Sequence, residues 1–105
     1  MAYTKENYED VEPLAPGMHF LRNDLDCDTL GLTVLDAGTG WKGKEHDHAG
    51  DGQEEVYFLV DGSGTIDIED ETVSLDPGDA IRVDPDATRQ LSFDEESTMV
   101  IVGAP

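Results

Sequence analysis

The sequence predicts an all-β domain, a sandwich or barrel of antiparallel strands. Three observations carry this expectation. Short runs rich in apolar and β-branched residues recur along the whole chain, about nine of them. Turn residues, chiefly Gly, Pro and Asp, fall between the runs at intervals of about 8–12 residues and not inside them. No segment has the length and apolar spacing of a long amphipathic helix.

Residues 1–17 are polar, carry Pro13 and Pro16, and read as an N-terminal arm. A short helical turn over Thr4–Asp10, capped by Thr4, fits its first half. Residues 18–105 form the barrel domain. Its first strand is "MHFLR", Met18–Arg22, and its second "LGLTVLDA", Leu30–Ala37, bounded by Gly38 and Gly40. "KEHDH", Lys44–His48, is a short polar strand, and "EEVYFLV", Glu54–Val60, is the strongest strand in the chain. The latter ends in Asp61-Gly62-Ser63-Gly64, a hairpin signal. "TIDIE", Thr65–Glu69, alternates with period two and turns into "TVSL", Thr72–Leu75. Asp76-Pro77-Gly78-Asp79 places Pro before Gly as a type II turn prefers, and "AIRV", Ala80–Val83, follows. After the turn Asp84–Ala87 come "TRQLSF", Thr88–Phe93, and "STMVIV", Ser97–Val102. Phe20, Val34, Ile66, Ile68, Ile81, Leu91, Phe93, Val100 and Val102 are the expected core.

The 105 residues amount to one domain. Acidic residues number 25 against 6 basic, a formal net charge of −19. The excess runs along the whole chain and is not confined to a tail. Nucleic acid and anionic membrane surfaces are therefore excluded as partners, since both would be repelled. Lysine occurs only at Lys5, Lys42 and Lys44. An evenly acidic, lysine-poor surface resembles that of proteins from extreme halophiles, in whose molar salt the self-repulsion is screened over about 3 Å. No repeated acidic loop of the EF-hand kind suggests a cation buffer. Cys27 is the one cysteine, so no intramolecular disulfide can form, which fits a reducing cytoplasm. Asp26 and Asp28 beside it disfavour a thiolate. No apolar run approaches the roughly 18 residues of a membrane span, and the first ten residues lack the apolar centre of a signal peptide.

Chemistry concentrates in "GKEHDHAGDGQEEVYFLVDG", Gly43–Gly62. On a strand His46 and His48 share a face with Asp47 on the other. If the segment pairs with the strand that begins near Glu55, two imidazoles and one carboxylate can meet at one ion. Such a set suits Zn, Mn, Ni, Cu or Fe(II), with coordination positions left for water or substrate. The opposing reading is a polar strand edge. The spacing goes further, because it resembles the first motif of the cupin superfamily. That motif is Gly, five residues, His-x-His, three or four residues, Glu, six residues, Gly. Here Gly40 is followed by five residues, His46-Asp47-His48, the six residues "AGDGQE", Glu55, six residues and Gly62. Only the loop between His48 and Glu55 is longer than the pattern, and "EEVYFLVDGSGTI" is very similar to the same region of many small cupins. The resemblance spans roughly Gly31–Val102. It implies a jelly-roll barrel (a double-stranded β-helix), usually a homodimer, holding one divalent transition metal inside the barrel on His46, His48 and Glu55.

The second cupin motif, Gly, five residues, Pro-x-Gly, two residues, His, three residues, Asn, is matched only in part. Gly78 is followed by the six residues "DAIRVD" before Pro85, and after Asp86, Ala87 and Thr88 stands Arg89 in the place of the histidine. That histidine is the fourth protein ligand of the family, and a guanidinium cannot ligate a metal. Inward-facing, Arg89 would need Glu55 or a substrate carboxylate as partner; shifted by one residue, it would face solvent. Gln53 shares the parity of Glu55 and is either a site residue or a solvated loop residue. Tyr57 has that parity too and lines the cavity or fills the core. Glu54 faces out, Trp41 fits a cap at the barrel mouth or plain packing, and His19 reads as a satisfied histidine.

Two functions follow from the resemblance. One is a metal-binding cupin acting on a small molecule, with Arg89, Gln53 and Tyr57 as substrate contacts and an anionic ligand suited to Arg89. The other is a non-catalytic binding or sensor cupin whose metal site is degenerate. Fold alone does not choose between them.

Overall fold

The computed structural model describes residues 2–105; the first residue of the arm, Met1, lies outside the described residues. Eight strands build two antiparallel sheets. They are β1 (Met18–Phe20), β2 (Gly31–Ala37), β3 (Glu54–Asp61), β4 (Gly64–Ile68), β5 (Glu71–Leu75), β6 (Ala80–Val83), β7 (Arg89–Phe93) and β8 (Ser97–Ala104). The larger sheet runs β1-β2-β8-β3-β6 and the smaller β5-β4-β7. Among the described residues helix is confined to a 3-10 turn at Tyr8–Asp10. The all-β expectation holds, and the two facing sheets are those of a jelly roll.

Between the sheets lies one core, with Leu35, Leu59, Ile66 and Met99 fully buried and Tyr57, Val83, Leu91, Phe93 and Ile101 nearly so. Ile66, Leu91 and Phe93 are core as expected, and Ile68 and Ile81 pack against it partly buried. Val34, Val100 and Val102 are not in the core. They lie on the outer face of the larger sheet, while Leu35 of β2 and Met99 and Ile101 of β8 point inward. The parity was unreadable because β8 is apolar on both faces, so the residue pattern cannot say which face is inside. Phe20 is half-exposed and stands at the edge of a cavity.

Three local expectations are corrected. The segment Asp61–Gly64 is no hairpin: β3 already lies between β8 and β6, and β4 pairs with β5 and β7 in the other sheet. The chain crosses from sheet to sheet there. Gly62 takes φ 102°, and a Cβ on it would come within 2.6 Å of Ser97 Cα, so the crossing needs glycine. Second, Lys44–His48 is not a strand. It runs beside β7 through isolated antiparallel bridges, Lys42 to Ser92 and His46 to Arg89. The backbone N–H of His46 donates to Arg89 O at 3.0 Å and that of Arg89 to His46 O at 2.9 Å. Third, the helical turn in the arm starts later than Thr4. Asn7 is its cap, accepting a hydrogen bond from Glu9 N at 2.9 Å.

The turn Asp76–Asp79 forms as expected, with Gly78 at φ 94° and Asp79 N donating to Asp76 O at 3.0 Å. The arm lies against the barrel. Trp41 Nε1 donates to Pro16 O at 2.9 Å, Asp36 N donates to Gly17 O at 2.9 Å, and His19 Nδ1 is 2.8 Å from Val11 O. His19 is thus satisfied locally, with Tyr8 edge-on at 5.2 Å between ring centroids.

Candidate metal centre

His46 and His48 come from the segment along β7, at the smaller sheet, whereas Glu55 comes from β3 in the larger one. The three side chains meet across the barrel and not within one strand pair, which corrects the pairing supposed from the sequence. One ligand atom from each lies within 4.8 Å of the others. His48 Nε2 is 3.3 Å from Glu55 Oε1, and the imidazoles of His46 and His48 stand edge to face with centroids 5.1 Å apart.

The second nitrogen of each ring is occupied. His46 Nδ1 lies 3.0 Å from Lys44 O, a carbonyl, and must donate to it. His48 Nδ1 is 3.1 Å from both carboxylate oxygens of Asp51. With Nδ1–H donating, Nε2 is the nitrogen left to bind a metal, in the neutral tautomer a metal needs. Asp51 is itself held. The Gln53 N–H, then the imidazole of His48, keep its carboxyl below the usual carboxylate range. Two imidazole nitrogens and a carboxylate oxygen within this span fit one divalent transition ion with metal–ligand distances of about 2.0–2.2 Å after small side-chain rotations.

Glu55 is largely buried and well held. The Tyr57 hydroxyl donates to Oε1 at 2.6 Å. Burial, then the Glu55 charge, pushes the Tyr57 phenol far above its ordinary range, so it stays protonated and serves as a donor, not a base. Arg89 Nη1 is 3.5 Å from the same oxygen. The guanidinium is 0 % exposed, and Nη2 donates to Asp84 O at 2.6 Å, while Nε and Nη1 have no hydrogen-bond partner. The reading in which Arg89 faces solvent is therefore excluded. Arg89 sits beneath Glu55 and takes no part in the cavity wall.

A cavity of about 380 Å³ opens beside these three residues. Gln53, Glu55 and Tyr57 line it with both histidines. Trp41 also lines it, packed on Phe93 at 5.8 Å between centroids. Glu54 faces out and pairs with Arg82. Three residues escaped the sequence reading: Asp51, and the cations Arg22 and Lys44 on the cavity wall. The signal for Asp51 was its place three residues after His48; nothing in the sequence marks the other two.

Residues 32–103 match the family model described as "Cupin domain". No curated protein matches the chain in sequence. Among solved structures, a cupin protein from Bacteroides fragilis superposes with a TM-score of 0.79 at 25% identity, over 99% of this chain and 85% of that one. KdgF from Halomonas sp. superposes with a TM-score of 0.78 at 20% identity, over 100% and 94% of the two chains. A salicylate 1,2-dioxygenase from Pseudoaminobacter salicylatoxidans, solved as adducts with gentisate, gives 0.72 at 17% identity over 87% of this chain and 26% of that one.

Proposed function

The chain belongs to the Cupin domain family, and from that premise we propose that it binds one divalent transition metal on His46, His48 and Glu55 and takes a small molecule into the adjoining cavity. The observation that carries this is the pair of occupied Nδ1 atoms, which leaves Nε2 of each ring as the nitrogen available to a metal beside the Glu55 carboxylate. When bound, the metal supplies a Lewis acid or an oxygen-activating centre. The chain's own residues do the positioning. Tyr57 orients Glu55 through its hydroxyl, Asp51 and Lys44 O orient the imidazoles, and the apolar wall of Trp41 and Leu91 excludes water. Gln53 and Tyr57 are the substrate contacts of this reading. We place the working particle in the cytoplasm as a homodimer.

A second reading, a binding or sensor cupin with a degenerate site, is favoured by one observation, the Arg89 cation 3.5 Å from a ligand oxygen. It competes with a metal for Glu55.

The test is elemental analysis of protein purified without a metal-affinity step, followed by titration with Zn, Mn, Ni, Cu and Fe. Stoichiometric uptake of one ion is expected, abolished in His48→Ala. If the wild-type protein takes up none of the five at saturation, the site is vestigial and the second reading stands.

A further inference from the structure

Charge is distributed unevenly around the cavity. The chain has 6 basic residues against 25 acidic ones. Arg82 points outward in ion pairs with Glu54 and Asp84, and Arg89 is buried under Glu55. Two of the remaining four, Arg22 and Lys44, line the cavity. Among the described residues neither has a carboxylate within ion-pair distance; the Arg22 side chain donates from Nη2 to Asp28 O at 2.9 Å. Among the described residues Glu55 is the one acidic residue on the cavity wall, and Tyr57, Arg89 and His48 already lie against it. Asp51 lies outside the wall against His48. In a chain this acidic, basic residues on the cavity wall therefore outnumber the one acidic residue, and both basic residues lack a carboxylate partner.

The rest of the wall is chiefly apolar, with Met18, Trp41, Leu91 and Ile101 among its residues. Trp41 is fixed in place by its hydrogen bond to Pro16 O and by packing on Phe93. A sugar or other polyhydroxyl ligand would lose water here without gaining enough hydrogen-bond partners. An anion with an apolar body would instead bury that body and keep its charge by the two cations.

We propose that the cavity takes a small carboxylate with an apolar body, its carboxylate held by Arg22 and Lys44 and its body packed against Trp41, Leu91 and Ile101. The proposal rests on the reading of this cavity as the ligand site. It moves the anion contact away from Arg89, which does not reach the cavity wall. The two cations hold the anion without a metal, so the proposal is tested separately from the metal.

The experiment is calorimetric titration of the full chain, treated with chelator and dialysed, with phenylacetate, its uncharged amide phenylacetamide, and acetate. Phenylacetate is expected to bind at least tenfold more tightly than either of the others. Lys44→Gln and Arg22→Gln should each bring the ratio of phenylacetate to phenylacetamide affinity down to about one. Trp41→Ala should weaken both aromatic probes. Equal affinity for acid and amide overturns the proposal, as does an acid preference that survives both cation substitutions, or the absence of binding by all three probes at millimolar concentration. If phenylacetate binds only to Zn-loaded protein and ignores both substitutions, the metal holds the anion: the proposal fails while the metal reading stands. If the chelated protein binds phenylacetate through Arg22 and Lys44 and no metal is taken up, the metal reading fails and the proposal stands.

Discussion

Asp51 shows what a single side chain outside the ligand set can do. It accepts from His48 Nδ1 at 3.1 Å and from Gln53 N at 3.1 Å, so it fixes both the ring and the loop that carries it. Partners of this kind orient a ligand and set its tautomer, and their loss costs about 10–100-fold in metal affinity. Asp51→Ala is expected to weaken zinc binding by about tenfold or more while the protein stays folded; a competition titration against a chromogenic chelator reads the affinity, and circular dichroism the fold. An unchanged affinity would mean that His48 needs no orienting partner. Arg89 acts with the opposite sign. A permanent cation 3.5 Å from Glu55 Oε1 opposes a second cation at the same carboxylate. Arg89→His removes that charge and offers a nitrogen on the same inward-facing strand position. It should tighten metal binding at least tenfold, about 1.4 kcal/mol. Equal affinities by calorimetry would show that Arg89 does not influence the site.

Elements were legible where one face is apolar and the other polar, and illegible where both faces are apolar or the chain leaves a regular ladder. β4, with Ile66 buried and Asp67 beside it, was readable in place and in orientation. β8 was readable in place only, because Val100 and Val102 are as apolar as Met99 and Ile101. The segment of His46 and His48 looked like a strand and is a run of isolated bridges; the spacing still placed the right residues together, since the bridge at Arg89 fixes His46 against β7. The partner of that segment was beyond local reading, because sheet order is set by long-range packing. Rows on the outer face of the larger sheet carry a consequence. Val34 stands opposite Val100, Val100 opposite Phe58, and Phe58 opposite Ala80. The next row joins Leu32, Val102 and Val56. Phe58 and Val60 are 40% and 48% exposed. Such a face is commonly covered by a partner, and a two-fold pairing of the same face in two copies covers it while leaving the acidic residues at the rim. Light scattering in molar KCl is expected to give twice the chain mass of 11.4 kDa, and Phe58→Asp to halve it. A single-chain mass for the wild-type protein would remove the homodimer.

At the scale of the whole molecule the dominant fact is charge. The Cα radius of gyration is 13.6 Å, and a formal charge of −19 is spread over that particle. At about 0.1 M salt the Debye length is about 10 Å, so each carboxylate feels others well beyond its neighbours; at 1 M it is about 3 Å and only contacts remain. Unfolding separates the charges, so repulsion favours the unfolded chain, and screening should stabilise the fold. Attractive ion pairs are screened too, which works the other way. They are few: Arg82 with Glu54 and Asp84 is solvent-exposed, where such pairs contribute little. The buried contact of Arg89 with Glu55 is shielded from salt by its burial. Repulsion therefore decides the sign. The melting temperature at pH 7 is expected to be several degrees higher in about 1 M KCl than in about 0.05 M KCl, where the Debye length grows beyond 10 Å. Acid provides the internal control. Near the sequence isoelectric point of about 4.1 most of the net charge is gone, and the same change in salt should move the melting temperature far less. Scanning calorimetry at the two pH values and two salt concentrations measures all four. A melting temperature that is flat or falls with salt at pH 7 removes the halophile reading of this surface. A rise of equal size near pH 4 assigns the effect to salt acting on apolar burial and not to the relief of charge repulsion.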